Sequence, residues 1–243
     1  MTCTHAWSGR FRFGDDWACF EGLCGDAQAH RHLAAQVVIG VSGPVMIRGE
    51  RGAVVADAIM IAPGALHAIV PTDRIVRVIY LQGFGRVARS WGVRTWPATP
   101  WVVQAEWGGL LRGPDPGGYL EAVSASAEPC LMEPRLAAAL QLMRQASEFG
   151  LDLGGVAQRV GLSPARLRAL ARAELGAPLA HWRTWLRLER AIAALRQGEP
   201  LAAAAALGGF SDQAHLSRTM RRFFGITPWT ASRVVGAPRA ALA

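Results

Sequence analysis

The sequence has 243 residues and no lysine: all 26 basic residues are arginine. In a chain this rich in alanine and glycine we read that as a GC-rich coding bias, so arginine in place of lysine carries no design signal. No charge-free apolar run reaches 18 residues, which argues against a membrane-spanning helix. The opening stretch MTCTHAWSGRFRFGDDW lacks the apolar segment of a secretory signal. Cysteine is scarce, and Cys3, Cys19, Cys24 and Cys130 show no CxxC spacing. Free thiols in a reducing compartment are therefore expected rather than a disulfide framework or a cysteine zinc site. Neither a nucleophile triad pattern nor a glycine-rich phosphate loop is present, so the sequence points away from an enzyme. A hydrophobic content of 51% with 18% charged residues excludes a disordered chain. The length suits one large domain or two ordinary ones.

Acids are missing from one region in particular. Residues 1–149 carry 13 arginines and 13 acids, whereas residues 150–243 carry 13 arginines against 5 acids. The formal net charge of +8 therefore lies wholly in the C-terminal part. A neutral region joined to a basic one is what a polyanion-binding module attached to a partner domain produces.

What is present divides the chain the same way. The runs QVVIGVSG (36–43), VMIRGE (45–50), AVVADAIMIAPG (53–64) and RIVRVIYLQG (74–83) are β-branched and closed by Gly, Pro or Asp, which predicts an all-β sandwich or barrel. Residues 84–128 mix proline breakers with Trp91, Trp96, Trp101 and Trp107, as core residues or as part of a dimer contact. From EPRLAAALQLMRQASEFG (133–150) onward the pattern is helical, with Pro134 at a helix start. The expected division is 1–130 and 131–243.

The helical part contains a repeat. VAQRVGLSPARLRALARAELGAP (156–178) and AAALGGFSDQAHLSRTMRRFFGITP (204–228) each read as a short apolar helix, a Gly–apolar–Ser corner and a second amphipathic helix. The glycine permits a positive φ, the apolar residue plugs the core and the serine caps the next helix. HWRTWLRLERAIAALRQG (181–198) is a long helix holding the two units apart. With Leu216, Met220 and Phe223 or Phe224 assigned inward, Gln213, Ala214, Ser217, Arg218 and Arg221 share the outer face. On the first unit, with Leu167, Leu170 or Ala171, and Leu175 inward, the equivalents are Pro164, Ala165, Arg168, Ala169 and Arg172. Arginine can take two acceptors on guanine and glutamine can pair with adenine, while other polar groups reach phosphates. One such helix face would be read as ordinary solvation; two spaced copies in the basic region predict a DNA-binding surface.

These residues resemble the AraC/XylS family of bacterial transcription regulators over about 133–233. The resemblance rests on Gly161-Leu162-Ser163-Pro164, Gly176, Trp182, Arg187-Leu188-Glu189-Arg190-Ala191, Gly209-Phe210-Ser211, His215-Leu216-Ser217-Arg218 and Phe224-Gly225-Ile226-Thr227-Pro228. It implies helix–turn–helix units at about 153–175 and 201–224, with recognition helices in successive major-groove segments roughly 34 Å apart. The implied DNA-contacting set is Ala165, Arg166, Arg168 and Arg172, with Gln213, Ala214, His215, Ser217, Arg218, Arg221 and Arg222. Ala169 stands where the family usually has Arg and Ala171 where it has an aromatic, while Ala204 replaces Ile and Met220 replaces Phe. The first recognition helix is therefore expected to grip backbone and the second to discriminate sequence.

The N-terminal region carries a second constellation: His30-x-His32, then Gln36, then Pro63-Gly64-x-x-His67. On a strand, His30 and His32 would share a face. The spacing resembles the two cupin motifs, with Gln36 where a metal-binding Glu is usual, and it resembles the sensor half of AraC-type regulators. Three readings stand: an effector pocket lined by His30, His32, Gln36 and His67; a divalent metal site on His30, His32 and His67; or structural histidines. The expected whole is a two-domain α+β protein, a cupin-like β-barrel followed by an all-α domain with two helix–turn–helix units. It would act as a bacterial, cytoplasmic, nucleoid-associated regulator and not as an enzyme. Its expected partners are double-stranded DNA, a small-molecule effector, a second copy of the chain and RNA polymerase, with no membrane and no obligatory cofactor. A metal-dependent cupin sensor or enzyme fused to the DNA-binding half is the competing reading.

Overall fold

The computed structural model describes residues 7–14, 16–25, 28–32, 34–82, 85–93, 101–102, 112–127, 132–145, 152–175, 178–224 and 226–228. In chain order the strands are β1 (Ser8–Phe13), β2 (Trp17–Leu23), β3 (Ala35–Gly40), β4 (Val45–Gly49), β5 (Gly52–Ala56), β6 (Ala58–Ile61), β7 (His67–Ile69), β8 (Ile75–Leu81) and β9 (Trp101–Val102). They form two antiparallel sheets, a six-stranded one in the order β1-β2-β8-β3-β6-β9 and a three-stranded one in the order β5-β4-β7.

Strand β3 (AQVVIG) is buried along its whole length, whereas β4 (VMIRG) alternates buried and exposed residues. An uninterrupted apolar strand needs cover on both faces, and an alternating one needs it on one. For the six-stranded sheet the small sheet covers one face and helices cover the other. Phe20, Val38, Val78 and Tyr80 face a core shared with Ile47 of β4 and Ile69 of β7. Cys19, Val37, Ile39 and Ile79 face a second layer with Val87, Ala88, Trp91 and Leu120. Those last residues come from or flank helices α1 (Arg86–Ser90) and α2 (Pro116–Ser126). Trp91 is thus a core residue; Trp96 and Trp107 lie outside the described residues, and Trp101 stands in β9. Cys19 and Cys24 are free, and burial pushes both thiols up.

The sequence reads 53–64 as one strand, but the structure makes two. Strand β5 belongs to the small sheet and β6 to the large one, with Asp57 between them and its carbonyl accepting from Gly40 N at 2.8 Å. A strand that changes sheets must bend at the corner, and a lone acid in an apolar run marks that bend.

The helices that follow are α3 (Pro134–Gln145), α4 (Leu153–Arg159), α5 (Pro164–Leu175), α6 (Leu179–Arg196), α7 (Leu201–Leu207) and α8 (Gln213–Phe224). Helix α6 buries Trp182, Trp185, Leu186, Leu188, Ala191 and Ile192 among others, as a helix packed on several sides must. The end of α7 rests on α6 at Gly208, where an added Cβ would lie 2.8 Å from both Ala191 Cβ and Arg187 O. The first core layer also continues from the sheet into the helices. Tyr80 of β8 meets Phe224 of α8 edge to face with ring centroids 5.6 Å apart, and Trp185 of α6 lies 5.8 Å from the same ring. Beside them Gln82 Nε2 donates to Glu189 Oε1 at 3.3 Å, and Phe11, Trp17, Met220 and Ile226 line an apolar cavity at the junction.

Candidate nucleic-acid interface and buried histidine cluster

Each helical unit turns on a left-handed glycine, Gly161 at φ +65° and Gly209 at φ +75°. In the first unit Ser163 Oγ accepts from Arg166 N at 3.2 Å and Pro164 opens α5, a favourable start because its missing N–H is not needed there. In the second unit the expected serine cap is replaced. Helix α8 starts one residue later, so Asp212 becomes the cap and its Oδ1 accepts from His215 N at 2.6 Å. That bond, with the Ser211 hydroxyl donating to Oδ2 at 3.0 Å, holds the Asp212 carboxyl below its ordinary range. The imidazole of His215 folds back onto Ser211 Oγ (3.1 Å) and stands edge-on to Phe210 at 5.2 Å. It completes the corner and is half-buried there.

Sequence reasoning assigned no separate role to Arg187. From α6 its Nη2 donates to Gly209 O and its Nε to Gly208 O (3.4 Å), while the guanidinium lies 4.5 Å from the Phe210 ring centroid. One side chain therefore fixes the backbone and the plug of the second corner. The RLERA match contains this residue, but only the fold shows what it grips. Arg187→Ala should lower stability by about 1.5–3 kcal/mol in urea unfolding, with little recovery in Arg187→Lys, because an ammonium cannot fork between two carbonyls while stacking on the ring.

The outward faces carry most of the expected residues. On α5, Leu167, Ala171 and Leu175 are buried and Ala165, Arg166, Arg168 and Arg172 are exposed. On α8, Leu216, Met220 and Phe223 are buried, Gln213, Ala214, Arg218, Arg221 and Arg222 are exposed, and Ser217 is half-buried. Helix α8 holds no acid, and Glu174, the acid of α5, is turned away with its Oε2 accepting from Glu133 N at 3.0 Å. Among the described residues Arg168, Arg172, Arg218 and Arg221 make no ion pair. Exposed guanidinium groups on two helix faces that carry no acid of their own suit a polyanion.

The N-terminal constellation also converges, though not by strand alternation. Residues 30–32 are not a strand: His30 forms an isolated bridge with His67, His30 N donating to His67 O at 2.9 Å and His67 N to His30 O at 3.1 Å. Gly64 N donates to His32 O at 2.7 Å, so the 64–67 turn is tied to the same segment. The three rings pack with centroids 4.4–5.3 Å apart. Each Nδ1 is directed at a backbone carbonyl: His30 at Gln28 O (2.9 Å), His32 at Ala34 O (2.6 Å) and His67 at Ala65 O (3.0 Å). A carbonyl can only accept, so each Nδ1 carries the proton. Each Nε2 is then a bare lone pair, buried without a hydrogen-bond partner. Gln36 is fully buried opposite Tyr80 in the β3–β8 pairing, with its amide beside both His32 and Tyr80. Burial first, and the neighbouring imidazoles second, push His67 down to about 4 and His32 well below its ordinary value; burial also lowers His30. All three rings are therefore neutral at neutral pH.

Residues 156–233 match a family described as a helix-turn-helix domain. The chain is 33% identical over 111 residues to the arabinose operon regulatory protein of Escherichia coli, covering 45% of this chain and 38% of that one. It is 37% identical over 78 residues to the protein of the same name from Salmonella typhimurium, covering 32% and 28%. It therefore spans at most 38% of the length of these curated relatives. Among solved structures, an apo variant of Vibrio cholerae ToxT aligns over 91% of this chain and 98% of its own with a TM-score of 0.59 at 9% identity. Wild-type ToxT bound to an unsaturated fatty acid aligns over 93% and 98% with a TM-score of 0.54, also at 9% identity. At such identities the likeness establishes the fold, a sheet-rich N-terminal region followed by helices carrying the two helix–turn–helix units.

Proposed function

We propose that the chain is an AraC/XylS-type, sequence-specific DNA-binding transcription regulator whose promoter binding responds to a small effector held in its N-terminal β domain. The observation that carries this is the pair of exposed, acid-free arginine faces on α5 and α8. Helix α8, with Gln213, Arg218 and Arg221, reads base edges, and α5, with Arg166, Arg168 and Arg172, holds phosphates. Residues 131–243 form the DNA-binding part and residues 1–130 the sensing and dimerising part. The unsaturated fatty acid bound to ToxT, a protein of the same two-part fold, supports a small-molecule ligand for this chain. In this reading the protein is a regulator and not an enzyme, acts as a homodimer in the bacterial cytoplasm at the nucleoid, and touches RNA polymerase at the promoter. No described helix is long and apolar enough to cross a membrane.

The test is a gel shift on DNA taken from upstream of the gene, with random duplex as competitor. A retarded band that resists the competitor is expected at 50 mM salt. Neutralising six or more phosphates should weaken binding by about a thousandfold or more at 200 mM. Absence of any retarded band at low salt would sink the reading.

A further inference from the structure

The buried histidine cluster has three features that hydrogen bonding within the protein leaves unexplained. Three imidazoles, packed ring against ring, each bury an Nε2 without a hydrogen-bond partner. Their tautomers are fixed by three separate backbone carbonyls. One ligand nitrogen from each can be chosen so that all lie within 4.8 Å of one another. Lone pairs aimed together in a dry site repel, and a buried polar atom without a partner is costly, so three at one point need a common acceptor of electron density. A proton answers badly, because it would leave a charged imidazolium beside two further rings and no carboxylate. A cation bound by all three nitrogens answers fully. The arrangement, in which Nδ1–H is anchored on a carbonyl and Nε2 is left free, is how ligating histidines are oriented.

The geometry points to a single divalent transition-metal ion of the zinc class, held by Nε2 of His30, His32 and His67, as the regulatory ligand of this protein. This names the effector of the regulator proposed above and rests on that reading. The chemical class follows from the donors: imidazole suits zinc, copper, nickel or iron, whereas calcium and magnesium need oxygen ligands that the cluster does not offer. Metal–nitrogen bonds are about 2.0–2.1 Å, so the rings close slightly on the ion from their present separation. The Gln36 amide, buried beside His32, supplies an oxygen for the fourth position. With neutral ligands only, the ion keeps its full charge inside the domain.

That charge sits close to α8. Tyr80 lies across the ladder from Gln36, its ring 6.1 Å from His32 on one side and 5.6 Å from Phe224 on the other. Closure of the cluster is therefore felt by one fully buried aromatic ring that also seats the end of the helix proposed to read DNA. Because coupling between two ligands is reciprocal, metal and DNA must change each other's affinity by the same factor.

The experiment uses the full chain stripped of metal and titrated with zinc(II), with cobalt(II) as a spectroscopic probe. One equivalent should bind, and cobalt(II) should show the visible bands of a nitrogen-ligated, low-coordinate ion. His67→Gln should lower metal affinity at least a hundredfold, since even the loss of an outer-shell partner lowers it 10- to 100-fold. Tyr80→Leu should keep the metal but lose the coupling. Zinc should shift the dissociation constant for upstream DNA about tenfold, and the same DNA should shift zinc affinity equally. Lack of stoichiometric uptake, or uptake unchanged in His67→Gln that circular dichroism shows to be folded, overturns the proposal while leaving DNA binding intact. Uptake without any effect on DNA affinity overturns the regulatory role. Uptake by a chain that binds no DNA at all overturns the regulator itself, leaving only a metal site.

Discussion

Arg218→Ala should weaken binding to the operator about 10- to 100-fold while leaving affinity for random DNA nearly unchanged. The guanidinium is exposed on the acid-free face of α8, four residues before the exposed Arg222 and in line with Ala214 and Arg221. An arginine there can take both major-groove acceptors of a guanine, and one bidentate pair is worth about 1–3 kcal/mol of discrimination against a wrong base. Arg172→Ala is the contrasting variant. It lies in the last turn of α5, whose outer face has Ala165 and Ala169 where base-reading side chains would be useful. Its loss should weaken specific and random DNA alike and reduce the salt slope by about one. Fluorescence anisotropy on both DNAs at several salt concentrations separates the two behaviours. Equal losses on both DNAs for both variants would contradict the division of labour between the helices.

Arg77→Ala should cost about 3–5 kcal/mol, enough to unfold much of the N-terminal domain near body temperature. Arg77 is 3% exposed on β8 and directly opposite Glu21 of β2; its Nε donates to Glu21 Oε2 at 3.0 Å and its Nη2 to the same oxygen. Burial alone would raise the Glu21 carboxyl, but the Arg77 and Arg10 guanidinium groups overcome it and hold the group below its ordinary range. A group with a lowered folded pKa contributes stability that is present above its unfolded value and lost as pH falls through the folded one. The gap between wild type and Arg77→Ala in urea unfolding should therefore be widest near neutral pH and narrow in acid. Replacing both partners, as in Arg77→Leu with Glu21→Leu, should be milder than Arg77→Ala alone, which leaves the largely buried Glu21 carboxylate with the exposed Arg10 to balance it in place of two guanidinium groups. A double variant weaker than the single one would show that the pair is not the source of the effect.

Much of this was legible in the sequence, for identifiable reasons. Periodicity places Leu167, Leu175, Leu216 and Met220 inward because a helix face repeats with the chain, and glycines 161 and 209 announce their corners because few other residues adopt a positive φ cheaply. The histidine spacing brought His30, His32, Gln36 and His67 together correctly, although the route is an isolated bridge to the 64–67 turn and not a shared strand face. What local patterns could not show is anything depending on distant partners. Whether Ser211 or Asp212 caps α8 turns on where the helix begins by a single residue. The grip of Arg187 on Gly208 and Gly209, about twenty positions away, leaves no trace in periodicity. Nor does the choice between Phe223 and Phe224: both fit the amphipathic pattern, but Phe223 fills the helical core and Phe224 is half-buried against Tyr80 of the sheet.

That last detail limits how modular the molecule is. Because Phe224 is seated between a strand of one part and a helix of the other, the two parts share a wall. A hybrid that joins residues 131–243 to a foreign sensor would uncover Phe224, Trp185 and Ile192 as one greasy patch. Such a hybrid inherits a solubility problem before it inherits a specificity, unless the new sensor brings an aromatic of its own to the place Tyr80 fills.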